Sequence, residues 1–329
     1  MSKAKRRIDI TRIITVVLAA VLLVSLALLA LNAWEKQRDK FPEMSFGDST
    51  VKYNGKDYTL NSNVETFLVI GLDKFDGADA GDSYINDQQA DFIMLFVLDN
   101  SARTYTAIHI NRDTMADINV LGVAGEKIGS VNRQIALSHT YGNGREVSCR
   151  NTADAVSSLL MGVKVNHYVS FKMDAVIKYN DLLGGVEVTV LDDFGDVDSS
   201  LVKGEKVTLM GKQALTYVRT RYGLEDSSNQ ARMKRQKQYL DAMRQKTEKR
   251  IAEDNTFIVN ASLTVAEYIV SDRSTDQLQE LMKKLSDYKF NDFRDLEGEL
   301  KVGEQFMEFT PDKEAIKQMV IDLFYDPKE

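Results

Sequence analysis

The chain has 329 residues, of which 43% are hydrophobic and only three are proline, a composition that excludes a disordered or fibrous protein. The formal net charge is −7, but residues 1–12 alone carry a net charge of +4, so the remainder carries −11. An acidic body opposes non-specific binding of nucleic acid, which requires a basic surface, and no nucleic-acid partner is expected. The single cysteine, Cys149, excludes an intrachain disulfide and a cysteine-based zinc site.

Residues 13–34 contain no charged side chain. A helix of this length spans about 33 Å, enough to cross the hydrocarbon core of a bilayer. The basic residues 1–12 before it predict a cytoplasmic N-terminal tail. Because the apolar stretch is longer than that of a signal peptide and no cleavage site is obvious, we expect an uncleaved single-pass anchor in the cell membrane, with the rest of the chain extracellular.

The segment after the predicted anchor is polar. Residues 35–62 are expected to form a juxtamembrane stalk that includes a hairpin turn at Asn54-Gly55. The continuous apolar runs 66–71 and 92–98 predict strands that are buried on both faces. Residues 103–110 predict a third strand, antiparallel to the second.

Helical and strand patterns alternate through the rest of the chain. Helices are predicted over residues 151–161, 174–183, 229–250, 263–270, 275–285 and 312–323, and strands over residues 167–171, 186–191, 294–300 and 304–309. The alternation predicts one α/β domain over residues 63–326, with a mixed central β-sheet sandwiched between helical layers.

Two acidic residues lie at ends of the predicted apolar strands. Asp73 follows the first strand and Asp91 directly precedes the second. Ligands commonly bind at strand ends in open α/β sheets, and two neighbouring carboxylates together with waters and phosphate oxygens suit Mg²⁺. Acidic residues also flank strands routinely as loop residues, so either one alone is a weak signal.

Arginines cluster in two other parts of the sequence. Arg112 and Asp113 end the third strand, where a structural ion pair is the ordinary interpretation. Arg219 and Arg221 face the same way if that segment is extended. The predicted helix 229–250 adds, near its N-terminus, Arg232, Arg235 and Gln236. Arginines close to a helix N-terminus predict a phosphate site, and the alternative is a solvated basic helix face.

Eight segments in a fixed order carry a family resemblance. They are VIGLD (69–73), ADFIML (90–95), NRDT (111–114), EKIGSVNRQIALSHTYG (126–142), NHYVSFKMDAV (166–176), LLGGVEVTV (182–190), GKQALTYVRTR (211–221) and ARMKRQ (231–236). Together they resemble the LytR–CpsA–Psr (LCP) family of cell-envelope glycopolymer transferases. The resemblance covers nearly the whole predicted extracellular region.

This resemblance implies a phosphotransferase that attaches an undecaprenyl-pyrophosphate-linked glycopolymer to peptidoglycan. The polymer would be a teichoic acid or a capsular or secondary wall polysaccharide, the new link a phosphodiester, and the released product undecaprenyl phosphate. The lipid tail would need an apolar slot between the sheet and the helices.

The same resemblance assigns roles to individual residues. Asp73 and Asp91 would hold Mg²⁺, or Mn²⁺ in its place. Arg112 and Asp113 would be catalytic, with Asp113 orienting Arg112 or taking part in activation of the acceptor. The implied pyrophosphate-binding residues are Arg112, Lys127, Arg219, Arg221, Arg232, Arg235 and Gln236.

Two positions depart from the family pattern and keep other functions open. Gln89 stands where many members carry arginine, and Asn229 where they usually carry aspartate. The anion site is therefore one charge poorer than the usual pattern, which motivates a non-catalytic binder of polyprenyl pyrophosphate or glycopolymer as an alternative. A transcriptional regulator, the label once given to this family, is opposed by the expected extracellular location and by the lack of an evident helix-turn-helix.

Overall fold

The computed structural model of the chain describes residues 50–74, 86–303 and 306–328, and the predicted tail 1–12 and span 13–34 lie outside these ranges. The strands in these ranges are β1 (Thr50–Tyr53), β2 (Lys56–Leu60), β3 (Val64–Lys74), β4 (Gln88–Asp99), β5 (Thr104–Ile110), β6 (Met115–Leu121), β7 (Lys127–Gln134), β8 (His167–Lys172), β9 (Val186–Thr189), β10 (Lys206–Leu209), β11 (Ile269–Ser271), β12 (Lys289–Asp295), β13 (Gly298–Val302), β14 (Met307–Pro311) and β15 (Tyr325–Pro327). The helices are α1 (Glu146–Leu159), α2 (Met173–Leu182), α3 (Lys212–Arg219), α4 (Asn229–Glu253), α5 (Phe257–Val265), α6 (Thr275–Asp287) and α7 (Lys313–Phe324), with short 3-10 helices at Ile135–Thr140 and Ala266–Tyr268. Within the described ranges, no helix is both long enough and apolar enough to cross a membrane.

A six-stranded mixed β-sheet lies at the centre, in the spatial order β11-β8-β3-β4-β5-β12. Strand β3 runs parallel to β8 and antiparallel to β4, while β5 is antiparallel to β4 and parallel to β12. Helix α1 and the first 3-10 helix pack on one face, and helices α4 to α6 cover the other. The predicted mixed α/β sheet and the antiparallel third strand are therefore confirmed.

The two central strands are continuously apolar because both of their faces are covered. Side chains alternate between the faces of a strand. On one face of β3 and β4, Leu68 and Leu95 are fully buried. On the other face, Phe67 and Met94 line a cavity beneath α4 to α6.

The predicted hairpin at Asn54-Gly55 is confirmed, since β1 and β2 pair across it and both turn residues have positive φ angles of 49° and 78°. Strand β2 also pairs with β15. Residues 50–62, predicted as part of the stalk, are therefore joined by a sheet to the C-terminal part of the described domain.

Two predicted elements and one conditional geometry differ from the structure. The helix predicted over 263–270 is wrong in position, because the apolar run from Phe257 forms α5 and the following Ile269–Ser271 becomes an edge strand on β8. The strand predicted over 294–300 is divided between β12, which pairs with β5, and β13, which pairs with β14. The segment that ends at Arg219 is helical, so it lacks the extended geometry in which Arg219 and Arg221 would face the same way.

Candidate active site

A β-bulge brings the two predicted acidic residues to one face of the sheet. Gly71 pairs with Phe92 and Leu72 pairs with Ala90, so Asp91 is an extra residue in β4. The bulge interrupts the alternation of side chains, and Asp91 lines the cavity together with its neighbour Phe92. Asp73 lies two residues beyond Gly71 on β3 and therefore projects from the same face as that glycine.

Close packing explains the glycine in the bulge. A Cβ atom added at Gly71 would lie 2.9 Å from both Phe92 Cβ and Phe171 Cζ. A side chain at this position would force the rings apart just beside Asp91. The glycine of the VIGLD segment therefore permits the tight approach of β3, β4 and β8 at the site.

Arginines from three distant parts of the chain bind these carboxylates. Arg219 donates from Nε and Nη2 to Asp73, with both distances 2.7 Å. Arg112 forms an ion pair with Asp91, and Arg232 Nη1 lies 3.8 Å from Asp91 Oδ2. Five of the predicted residues therefore form one cluster at the end of the sheet, namely Asp73, Asp91, Arg112, Arg219 and Arg232.

Several polar atoms in this cluster are buried without a partner. Among the described residues, Arg112 Nε and Arg232 Nε have no hydrogen-bond acceptor, although both atoms are buried. Buried polar atoms in folded proteins are normally hydrogen-bonded, so open guanidinium donors beside one another suit the oxygens of a bound anion.

Arg221 lies close enough to the cluster for its charge to lower the pKa of Arg232. Burial lowers the pKa of Arg232 to about 10, and the nearby charges of Arg112 and Arg221 act in the same direction. Arg232 therefore remains positively charged at neutral pH. The Arg221 guanidinium itself stacks over the exposed ring of Tyr222, 4.7 Å from the ring centroid.

Asp113 lies next to Arg112 and Gln134. Its Oδ1 accepts a hydrogen bond of 2.9 Å from Gln134 Nε2 and lies 3.6 Å from Arg112 Nε. Burial raises the pKa of Asp113, while the charges of Arg112, Arg221 and Arg232 oppose that rise. The contact with Arg112 suits an orienting role for this carboxylate.

The pKa of Asp113 predicts a pH dependence of stability. Because the folded state binds a proton at Asp113 more tightly than the unfolded state does, this residue contributes less stability as the pH rises above its ordinary pKa of 3.8. We expect the free energy of unfolding of Asp113→Asn, relative to the native protein, to rise with pH from about 4 and then level off. Thermal unfolding across a pH series measures it, with Asp117→Asn, an exposed carboxylate on β6, as the control. A difference that is flat with pH would contradict the expectation.

The two departures from the family pattern have defined contacts. Gln89 Oε1 accepts a hydrogen bond of 2.7 Å from Arg112 Nη2, an interaction that an arginine at this position cannot make. Asn229 Nδ2 donates to Asn111 Oδ1 at 2.6 Å. The N-cap of α4 is the preceding Ser228, whose side chain accepts a hydrogen bond from Ala231 N.

Arg235 does not contribute to the anion-binding cluster. Its side chain is fully buried, where it pairs with Asp192 and donates to the carbonyl oxygens of Tyr217 and Thr220. Its guanidinium hydrogen bonds are thus directed at the protein itself. Arg235 thus holds the segment that carries Arg219 and Arg221, and its predicted contact with pyrophosphate stays a prediction.

Lys127 is also separated from the cluster. It begins β7, whereas Gln134 at the other end of that strand contacts Asp113. Seven residues of extended strand span about 23 Å. The structure therefore does not bring Lys127 together with the cluster, and its side chain lies within electrostatic range of Asp154.

An apolar cavity of about 430 Å³ extends from the cluster along the sheet. Asp91, Arg219, Arg232 and Gln236 contribute polar atoms to its wall. The apolar wall includes Phe92 and Met94 from the sheet, Leu240 and Met243 from α4, and Phe290 and Phe293 from β12. On β4 the wall runs from Asp91 to Phe96, a distance of about 16 Å. Sequence reasoning located the cavity only in general terms, because these apolar residues look like ordinary core.

The acidic pair has the donor chemistry that magnesium requires. Mg²⁺ is bound by one or two carboxylates while waters and substrate phosphates complete its coordination. Within the described ranges, no cluster of three or more histidine, cysteine, aspartate or glutamate side chains is arranged for a metal. Asp73 and Asp91 are carboxylates of the kind that such a site uses, and in this structure each is paired with an arginine.

Comparisons with known proteins give consistent matches. The sequence model of the LytR_cpsA_psr family matches residues 32–320. A polyisoprenyl-teichoic acid–peptidoglycan teichoic acid transferase, TagU of Enterococcus faecalis, is 27% identical over 252 residues, covering 75% of this chain and 73% of that protein. The cell wall biosynthesis protein LcpA of Corynebacterium glutamicum is 28% identical over 178 residues, covering 50% of this chain and 33% of that protein.

Solved structures share the fold. The crystal structure of B. subtilis TagV superposes with a TM-score of 0.61 at 21% identity, covering 80% of this chain and 97% of the other. The structure of TagT bound to LI-WTA superposes with a TM-score of 0.59 at 20% identity, covering 80% of this chain and 90% of the other.

Proposed function

Because this chain belongs to the LytR–CpsA–Psr family, we propose that it is a membrane-anchored phosphotransferase that joins a polyprenyl-pyrophosphate-linked glycopolymer to peptidoglycan. The relatives named TagU are teichoic acid transferases, which supports a teichoic acid as the polymer. The expected location is the outer face of the cell membrane, with residues 13–34 as the single span.

The observation that carries this proposal is that a group of arginines adjoins an apolar cavity. Arg112 and Arg232 present open donors at the end of the sheet, and the apolar cavity begins at the same place. A ligand that fills both regions has an anionic group attached directly to a long apolar chain. A polyprenyl pyrophosphate has this chemistry, whereas a free nucleotide or sugar phosphate lacks the apolar part.

The proposed reaction transfers the glycan-bearing phosphoryl group to a hydroxyl group. A hydroxyl oxygen of the peptidoglycan acceptor attacks the phosphorus atom that carries the glycan, the bond from that phosphorus to the oxygen bridging the pyrophosphate breaks, and the hydroxyl proton is released. Polyprenyl phosphate leaves with the electron pair of the broken bond. Arg112 and Arg232 bind the phosphate oxygens and stabilise charge that develops on them, while Asp113 orients Arg112.

Magnesium held by Asp73 and Asp91 would supply positive charge to the pyrophosphate oxygens and so help the leaving phosphate to depart. Arg219, which is bound to Asp73 in this structure, would contact the same anion. The tail lies in the apolar cavity, which keeps the pyrophosphate at the cluster and positions it for attack.

Metal removal and one substitution test this assignment. We expect chelation to abolish release of polyprenyl phosphate from a short-chain glycan donor in the presence of a peptidoglycan fragment, and added Mg²⁺ to restore it. Asp91→Asn should lose about 10²- to 10³-fold in rate at saturating Mg²⁺, because it removes a ligand and frees Arg112. The full-length protein is assayed, and Asp117→Asn is the matched control. Full activity after chelation would exclude the metal-dependent mechanism.

A non-catalytic binder is the second candidate, and Gln89 and Asn229 favour it. Tight binding of several polyprenyl-pyrophosphate glycans without formation of any linked product would support this alternative. Product linked to the peptidoglycan fragment would exclude it.

A further inference from the structure

Helix α5 exposes two large apolar side chains on its outer side. Val259 and Leu263, four residues apart and thus on one helix face, are 45% and 64% exposed. The surrounding residues 255–266 contain no charged side chain, although 28% of the chain is charged. The outer face of α5, meaning the exposed side chains of Val259 and Leu263, therefore has no charged residue close to it in the sequence.

The opposite side of the same helix lines the cavity. Ser262 and Val265 contribute to the cavity wall, directly next in sequence to residues of the outer face. At α5, a single helix therefore separates the apolar cavity from the protein surface.

Helix α6 completes this wall with side chains that are at most partly buried. Its apolar residues line the cavity, and they are Leu278, Leu281, Met282 and Leu285. None of the residues of α6, all of which the structure describes, is buried. Side-chain hydrogen bonds join it to its neighbours, from Gln279 to Ser262 of α5 at 2.7 Å and from Lys284 to Glu65 of β3 at 2.6 Å.

The chemistry of the proposed donor requires an opening at the side of the cavity. Its tail lies in a bilayer while its head carries a polymer, so the head cannot pass through a cavity of about 430 Å³. A cavity of this size suits a drug-sized ligand, and the distal part of a 55-carbon tail must remain in lipid. The predicted anchor ends at residue 34, and residues 35–49 reach at most about 50 Å, which keeps the domain near the bilayer.

Resting on the proposed function, we infer that the outer face of α5 is a contact surface for the lipid bilayer and that the polyprenyl tail enters the cavity between α5 and α6. Val259 and Leu263 insert among the lipid acyl chains, as the apolar face of an interfacial helix does. The weakly packed α6 moves aside as the tail slides in, and its leucines then contact the tail.

Labelling tests the contact independently of activity. Leu263→Cys in the full-length protein is labelled with bimane and reconstituted into vesicles of phosphatidylcholine and phosphatidylglycerol, with or without dibrominated acyl chains. The native Cys149 is fully buried and is not expected to react. We expect brominated lipid to quench the label at residue 263 but not one at Val302→Cys, a position that is 83% exposed on β13. Equal quenching at both positions, or none at 263, overturns the inference.

Turnover provides the second readout. Leu263→Asp should lower turnover of a 55-carbon donor embedded in vesicles about tenfold and leave turnover of a soluble 15-carbon donor unchanged, while Val302→Asp changes neither. Loss with both donors would indicate damage to the fold or site and contradict the inference. Failure of the native protein to turn over either donor would instead overturn the proposed function, and the quenching result would still decide where the bilayer lies.

Discussion

Replacement of Arg112 by alanine is expected to lower the rate of glycopolymer transfer at least about 10³-fold, the largest effect of any substitution in the cluster. Its guanidinium contacts Asp91 and Gln89, and its buried Nε atom, 3.6 Å from Asp113 Oδ1, has no hydrogen-bond acceptor among the described residues. An arginine that stabilises a transferring phosphoryl group contributes about 10³ to 10⁵ in rate. Its loss also leaves Asp91 with Arg232 as its nearest remaining cation, at 3.8 Å.

The measurement separates catalysis from binding. Rates of polyprenyl phosphate release are compared with affinity for the donor, because an interaction made mainly in the transition state affects the rate much more than the affinity. Arg112→Lys retains the charge without the forked donors and should recover only part of the rate. Arg133→Ala, an exposed arginine on β7, serves as the control. A variant Arg112→Ala that is folded and retains a tenth of the native rate would contradict the assignment.

Replacement of Arg235 by alanine is expected to destabilise the fold by about 3–5 kcal/mol, because it leaves the Asp192 carboxylate without its buried partner. Two further acceptors, the carbonyl oxygens of Tyr217 and Thr220, lose a donor at the same time. The melting temperature should fall by roughly 10 °C. Activity is lost through unfolding and through displacement of the segment that carries Arg219 and Arg221.

Lys234 is the matched control, since it precedes Arg235 on α4 and is exposed. Lys234→Ala should melt within about 2 °C of the native protein, as expected for a surface substitution. If Arg235→Ala kept the native melting temperature and instead weakened donor binding, Arg235 would be a pyrophosphate ligand, as the family resemblance implied.

The central strands were predictable because burial on both faces leaves an uninterrupted apolar sequence. The hairpin β6–β7 was not predicted, since β7 is largely exposed and its turn has no Asn-Gly signal. That turn is stabilised locally instead: Glu126 accepts a hydrogen bond from Ala124 N through its carboxylate, at 3.1 Å, and another from Gly122 N through its carbonyl, at 2.8 Å. Side-chain closure of this kind depends on geometry that a pattern of hydrophobic residues does not encode.

The candidate site, like the fold, could be predicted from the sequence only in part. The sequence identified Asp73, Asp91 and Arg112, since carboxylates and arginines at strand ends are visible as residue types. It did not reveal that the bulge turns Asp91 towards the cavity, because a bulge is a property of the pairing between two strands. Nor did it distinguish Arg232, which has an open donor, from Arg235, which faces protein acceptors three residues later on the same helix.

The pairing of β2 with β15 has a consequence for how this domain is completed during synthesis. Asn61 and Asp326, which hydrogen bond beside this pairing at 3.5 Å, are 265 residues apart in the chain. Strand β2 emerges early during synthesis, yet its outer edge stays open until residues 325–327 follow. A chain that stops after α7 can form the central sheet but leaves β2 as an exposed edge, available to another copy. Residues 325–327 therefore close the sheet that the first described residues begin.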